Sequence, residues 1–257
     1  MPFTLLAMRP GFRPPADTSI VGLPTQGRAS LTPMNWDLLA SLPEEDRAEI
    51  LAAAVPRSFD RGEVLVHDGD PADSLHLIVD GRVAVQVSTA DGDRATLNIL
   101  SAGNYFGELS LVRGAGERRR TATVLALEDT RTLSLTLATF DRLRVRHAAF
   151  DRLLVAALAG RVEQLSGRLL EALYVGLDRR LCSCLLDLAR TYRGSSPQVS
   201  IPLTQDQIAG LVGGTRPSVN QSLHKLSELG IVELRRGRIV IRDLAALQRK
   251  ARVPVGS

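Results

Sequence analysis

The feature that most constrains this chain is a change of hydrophobic period partway along it. Across residues 59–135 apolar side chains alternate, first Leu75, Leu77 and Val79, then Val83, Val85 and Val87, then Leu97 and Ile99. Alternation at two residues marks half-buried strands. Many short ones, punctuated by Gly62, Gly69, Gly81 and the turn Asp91-Gly92-Asp93, predict an antiparallel roll or jelly roll. From Ala138 the period becomes helical. Val155, Leu158, Val162, Leu165, Leu169 and Ala172 recur at alternating intervals of three and four, the a and d positions of a coiled-coil seam. A long helix with one apolar stripe needs cover, either from its own chain's core or from the same helix of a second copy. Gly160 and Gly167 share the side opposite the seam, where each costs up to about 1 kcal/mol relative to alanine. Close backbone approach by the roll would account for them.

One stretch of the roll region has the composition of a ligand site. Residues 103–124 read GNYFGELSLVRGAGERRRTATV. A glycine-flanked carboxylate, Gly107-Glu108, leads through Leu109 into a short apolar turn and a basic, glycine-rich loop, and then Arg120-Thr121 enters a β-branched run. Backbone N–H groups at such a turn offer donors to an anion, and a guanidinium adds charge-assisted hydrogen bonds. Glu108 can only accept, so it suits the hydroxyls of a sugar and repels a phosphate placed beside it. Taken alone, Arg118-Arg119-Arg120 also fits a solvated loop face. His67 and His76 read as half-buried strand residues, because no ligand partner stands at a metal-binding spacing.

The charge is unevenly placed. Residues 176–257 carry thirteen Lys and Arg against six Asp and Glu, while the remainder carries nineteen against twenty-two. Positive charge therefore gathers at the end where nucleic acid would be held. There the sequence LTQDQIAGLVGGTRPSVNQSLHKLSELGIV predicts a helix-turn-helix. Thr204 and Gln207 form a capping box, with Ile208, Leu211 and Val212 facing inward. Gly213 makes the turn, and Thr215 caps a second helix that buries Val219, Leu223 and Leu226. Arg216, Ser218, Asn220 and Gln221 fall in the first turns of that helix, which would enter the major groove. His224 and Lys225 lie farther along, where they fit either contact with the DNA backbone or a solvated face. Arg235, Arg236 and Arg238 belong to a hairpin wing suited to phosphate contact.

At 257 residues and 44% hydrophobic content, the chain supports two folded domains. We divide it into a flexible tail (1–34), a roll domain (35–137), a long dimerisation helix region (138–175) and a winged helix-turn-helix (176–257). No apolar run reaches the length of a membrane span, and the first residues lack the pattern of a secretory signal. A cytoplasmic protein is expected. Cys182 and Cys184 are two residues apart on a helix and point to different faces, which agrees with a reducing compartment and with small buried hydrophobes. No nucleophile–base set and no metal-ligand spacing is present, so neither an enzyme nor a metal protein is expected.

The marks Gly62-Glu63, Gly69-Asp70, Asp73, Gly81, Phe106-Gly107-Glu108-Leu109 and Arg120-Thr121-Ala122 closely resemble the cyclic-nucleotide-binding β-roll. Together with the C-terminal third, they make the chain resemble the CRP/FNR superfamily of bacterial transcription regulators over nearly everything after Trp36. The resemblance implies an α+β chain: a β-roll, a long dimerisation helix and a winged helix-turn-helix. It implies that Glu108 contacts a ribose, and that Arg120 and Thr121 hold a cyclic phosphate, with Gly107 and Leu109 beside them. The long helix would close the pocket at Leu165 and Ser166. It further implies a homodimer on a double-stranded operator, working with RNA polymerase, with cyclic AMP as the first choice of effector.

Three positions depart from the pattern. The cyclic-AMP receptor branch carries Thr-Ser where this chain has Leu165-Ser166, and leucine cannot hydrogen-bond a base. On the second helix of the helix-turn-helix, Pro217 replaces the usual Glu and Gln221 replaces an Arg, which predicts a changed operator whose guanine is still set by Arg216. Cyclic GMP, a dinucleotide or no ligand at all remain alternatives. So, more remotely, does a nucleotide-sensing module acting on a protein partner. The clustered cysteines of the family's iron–sulfur branch are absent from the sequence.

Overall fold

The computed structural model describes residues 36–39, 42–88, 94–109, 119–146, 149–193 and 198–251. The tail expected over residues 1–34, the turn at 91–93, the basic loop up to Arg118 and the loop at 194–197 lie outside the described residues.

A 3-10 turn, Asp37–Leu39, and helix α1, Glu44–Ala53, precede eight strands. These are β1 (Val55–Phe59), β2 (Val64–Val66), β3 (Ser74–Asp80), β4 (Arg82–Ser88), β5 (Arg94–Ser101), β6 (Tyr105–Phe106), β7 (Thr123–Ala126) and β8 (Thr130–Thr136). They build two antiparallel four-stranded sheets, ordered β1-β8-β3-β6 and β2-β7-β4-β5. Ile78, Val83, Val85, Leu100, Phe106 and Val124 fill the interior of the roll. Leu75 and Leu77, on the other face of β3, pack with Leu135 against Trp36, Leu39, Ile50 and Phe140. Both faces of β3 are thus covered, so its alternating sequence conceals a strand buried from Ser74 to Ile78. Gly81 turns β3 into β4 at φ +87°, where an added Cβ would stand 2.5 Å from the carbonyl oxygen of Asp129.

Helix α2, Leu137–Arg146, leads to α3, Ala149–Tyr174, whose 26 residues span about 39 Å. On α3, Val162, Leu165 and Leu169 are 62%, 58% and 60% exposed, so the apolar stripe finds no cover among the described residues. Gly160 and Gly167 do not carry the close contact expected of them. Nothing lies within 4 Å of a Cβ built at either, because α3 stands off the roll across a cleft that Gly160 helps to line.

The C-terminal part comprises α4 (Leu177–Thr191), β9 (Val199–Ile201), α5 (Gln205–Val212), α6 (Arg216–Glu228), the hairpin β10 (Val232–Arg235) and β11 (Arg238–Ile241), and α7 (Leu244–Ala251). Leu181, Leu185, Ile201, Leu203, Ile208, Val219, Leu223 and Leu247 form its core. Local chemistry sets the boundaries of α5. Thr204 Oγ1 accepts from the Gln207 N–H at 3.2 Å, Gln207 Oε1 accepts from the Thr204 N–H at 2.8 Å, and Gly213 closes the helix at φ 63°. Cys182 is buried and Cys184 half-buried, and burial raises the pKa of both thiols.

Polar contacts and one close backbone approach join the roll to the long helix α3 and to the C-terminal part. Arg82 donates to the Thr191 carbonyl at 2.7 Å and lies 4.4 Å over the Tyr192 ring. Arg168 of α3 donates to the Leu97 carbonyl at 2.8 Å and to Asn98 Oδ1 at 3.0 Å. Gly210 of α5 sits so close to β5 that a Cβ there would be 2.6 Å from the Thr96 nitrogen. Among the described residues no helix is long and apolar enough to cross a membrane.

Candidate functional site

The turn after β6 and the approach to β7 bring Gly107, Glu108, Leu109, Arg120 and Thr121 around one small hollow of about 60 Å³. Gly107 holds φ +91°, which an L side chain rarely adopts, and an added Cβ would meet both Arg120 Nη1 and the Ser74 carbonyl at 2.6 Å. Glycine is therefore required here on two counts: conformation, and the space the guanidinium occupies. Arg120 donates from Nη1 to the Ser74 carbonyl at 2.8 Å and from Nη2 to Ser74 Oγ at 2.9 Å. Burial lowers its pKa, opposed by Asp73, Asp70 and Glu108. Glu108 and Arg120 are both buried, at 6% and 7% exposure, so the hollow presents a desolvated carboxylate and a desolvated guanidinium to whatever enters it. Thr121 is exposed at the rim.

Two further cations line the same hollow. Arg119 reaches Gly69, and Arg161 of α3 places Nη2 3.7 Å from Glu108 Oε1. Glu108 and Arg161 also line a second, larger cleft of about 540 Å³ between α3 and β5, with Asn98, Asn104, Gln164 and Arg168. Leu165 and Ser166 line neither space. With 3.6 residues per turn, the face formed by residues 161, 164 and 168 leaves Leu165 at its edge and Ser166 on the far side. Arg161 was not legible in the sequence, since nothing in local spacing joins a helix residue to a carboxylate more than fifty positions earlier. Its recurrence with Gln164 and Arg168 as a polar stripe beside the apolar seam is the one available signal.

His76 lies beneath Arg120, buried rather than half-buried. Burial, the positive charge of Arg120 and that of Arg57, opposed by Asp73, lower its pKa from the usual 6.5 to about 4. The unfolded chain therefore binds a proton between pH 6.5 and 4 that the folded chain refuses. This contribution to stability is complete above pH 6.5 and is lost as the pH falls through 4, for a total on the order of 3 kcal/mol. Urea unfolding at pH 7 and at pH 4.5 should show that loss in the wild type beyond the loss shared with a non-titrating His76→Gln variant.

In the C-terminal part, Thr204, Arg216, Arg235, Arg236 and Arg238 line one hollow of about 300 Å³ between the starts of α5 and α6 and the wing. Thr215 caps α6 by accepting from the Ser218 N–H at 3.4 Å, and Pro217 sits in the first turn without disturbing the helix. Arg216, Ser218 and Gln221 are exposed. Asn220 is half-buried, and its Oδ1 has no hydrogen-bond partner among the described residues. Arg216 Nε lies 3.3 Å from Asp206 Oδ1, an exposed and hence weak pair. Lys225 points elsewhere, lying 3.8 Å from Asp178 on α4. Arg235 and Arg242 both pair with Glu233, which stiffens the base of the wing. Among the described residues no group of His, Cys, Asp and Glu could hold a metal ion.

A roll whose hollow offers a carboxylate and a guanidinium, joined to a winged helix-turn-helix, defines a ligand-binding transcription regulator. Residues 56–147 match the cyclic nucleotide-binding domain and residues 179–250 the Crp-like helix-turn-helix domain. The CRP-like cAMP-activated global transcriptional regulator of Mycobacterium tuberculosis is 31% identical over 205 residues, 77% of this chain and 88% of that protein. The cyclic AMP receptor protein of Thermus thermophilus is 31% identical over 192 residues, 75% of this chain and 86% of that one. A solved CRP/FNR-family transcriptional regulator from Thermus thermophilus superposes with a TM-score of 0.59 at 25% identity, covering 77% of this chain and 98% of its own. The chain belongs to the CRP/FNR superfamily of transcription regulators.

Proposed function

We propose that the protein is a homodimeric, sequence-specific DNA-binding regulator controlled by a cyclic nucleotide, cyclic AMP first, bound in the roll. The observation that carries this reading is the pair of buried opposite charges, Glu108 and Arg120, facing one hollow. A cyclic nucleotide has both an anion and a free ribose hydroxyl, and a site of this kind distinguishes it from bare phosphate and from bare sugar. Arg120 and Thr121 take the phosphate and Glu108 the ribose, with the N–H groups of the Gly107–Leu109 turn beside them. The base lies in the adjoining cleft, where the amides of Asn98 and Gln164 supply the polar groups that Leu165 lacks. The relatives named for cyclic AMP favour that nucleotide over cyclic GMP.

The output passes through α3. Its Arg161 stands at the hollow, its Arg168 holds β5, and β5 packs on Gly210 of α5. A ligand that prefers one seating of α3 therefore biases how α5 and α6 are presented to DNA, with about 1–3 kcal/mol as the usual scale of such coupling. The exposed Val155, Val162, Leu165 and Leu169 form the seam with a second copy, with Leu158 and Ala172 alongside. In the dimer, Arg216, Ser218, Asn220 and Gln221 read bases, while Thr204, Thr215, Arg235, Arg236 and Arg238 meet phosphates. RNA polymerase is the partner on the promoter, in the cytoplasm.

Selection from random duplex DNA in the presence of cyclic AMP tests the reading. The wild type should enrich two inverted half-sites, each containing a guanine. Arg216→Ala should lose the preference for that guanine, worth about 1–3 kcal/mol. An unaltered site preference in the variant contradicts the assignment.

A further inference from the structure

We propose that His76 is a positioning residue for the nucleotide site, one uncharged imidazole that orients both the guanidinium of Arg120 and the turn bearing Glu108. The inference rests on the reading of the Glu108–Arg120 hollow as a nucleotide site. His76 lies on β3 directly opposite Phe106 of β6, and it is 6% exposed. Its Nε2 is 3.2 Å from Ser74 Oγ, the same oxygen that accepts from Arg120 Nη2 at 2.9 Å. Its Nδ1 is 3.1 Å from Thr132 Oγ1 on β8. The ring stacks on Phe106, with centroids 4.8 Å apart and planes 2° apart, and Phe106 is the residue immediately before Gly107-Glu108. A continuous chain therefore runs from Thr132 through His76 and Ser74 to Arg120, while the face of the same ring supports the ribose-side turn.

The hydrogen-bond inventory is satisfied by an uncharged ring. Ser74 has a single hydroxyl proton, which can go to Asp73 Oδ1 at 2.9 Å or to His76 Nε2. In the first case His76 donates from Nε2 and accepts from Thr132; in the second it accepts from Ser74 and donates from Nδ1 to Thr132. Either neutral tautomer closes the chain. An imidazolium would add a second positive charge beside Arg120 in a buried place. The Ser74 carbonyl and hydroxyl together hold the plane of the guanidinium, and His76 holds the hydroxyl. The residue acts through Arg120 and Phe106 and touches no ligand itself.

The test is calorimetric titration of the full chain with cyclic AMP and cyclic GMP. His76→Phe keeps the stacking ring but removes both hydrogen bonds, and it should weaken binding about tenfold. His76→Gln, which can donate and accept, should recover most of that loss. In an Arg120→Ala background, His76→Phe should add no further loss, because the two act through one chain. A second readout is independent of variants: the imidazole ¹⁵N resonances of wild-type His76 should move when nucleotide is added at neutral pH. Wild-type binding lost in Arg120→Ala but unchanged in His76→Phe overturns this proposal alone. So does a His76→Phe loss that persists in full without Arg120, or a set of resonances that nucleotide leaves in place. A wild type that takes up neither nucleotide overturns the nucleotide reading and this proposal with it.

Discussion

Replacing Arg120 by alanine is expected to lower affinity for cyclic nucleotide by a factor of about 30 to several thousand, corresponding to about 2–5 kcal/mol. The size of the effect follows from where the guanidinium sits. Arg120 is 7% exposed, its plane is held by two hydrogen bonds to Ser74, and the carboxylate of Glu108 lines the same hollow. Without the arginine, a phosphate entering the hollow exchanges water for a buried site that still contains Glu108. Arg119 lies exposed at the rim and cannot replace a buried fork. Arg120→Lys should recover only part of the loss, since an ammonium cannot make both Ser74 bonds and keep a planar face to the phosphate. Calorimetric titration measures both variants, and unchanged far-ultraviolet circular dichroism shows whether the fold is intact. Affinity within threefold of wild type in Arg120→Ala would place the phosphate elsewhere.

The second large effect concerns the seam. If the proposed seam forms a dimer, glutamate at both Leu165 and Leu169 is expected to leave the protein monomeric and to lower specific DNA affinity by about 10²–10⁴, the advantage that two linked half-site contacts hold over one. Both leucines project from α3 with more than half their surface exposed in the single chain, on one face with Val155 and Val162. An exposed stripe of this kind marks an interaction surface. Two like charges from each helix, four in all, would leave buried carboxylates without partners. Sedimentation equilibrium reports the mass, and binding to a single half-site duplex shows that the reading head survives. A dimer that persists in the double variant would contradict the seam.

The sequence disclosed the parts of this molecule that rest on local chemistry. The capping box of Thr204 and Gln207, the left-handed turn at Gly213 and the Thr215 cap each lie within a few residues of their partners, and each is found where spacing predicts it. Gly107, Glu108, Arg120 and Thr121 were legible too, because they stand close together in the sequence and line one hollow. Arg161 was not, nor were Asn98, Gln164 and Arg168, because their meeting depends on how α3 crosses β5. The burial of His76, where its sequence signals a half-buried strand residue, has a related reason. Alternation along β3 signals one covered face, whereas here Leu75 and Leu77 meet the helical layer while Ser74 and His76 lie under Arg120. Which elements cover a strand is a property of the assembled layers, not of the strand.

Control of DNA binding by nucleotide in the roll is measured by fluorescence anisotropy. The full chain is titrated into the selected duplex with and without saturating cyclic AMP. Tightening by about 5- to 150-fold is predicted, with the duplex tightening cyclic AMP by the same factor, as linkage requires. Cyclic AMP that saturates the protein and leaves the affinity for that duplex unchanged would contradict it.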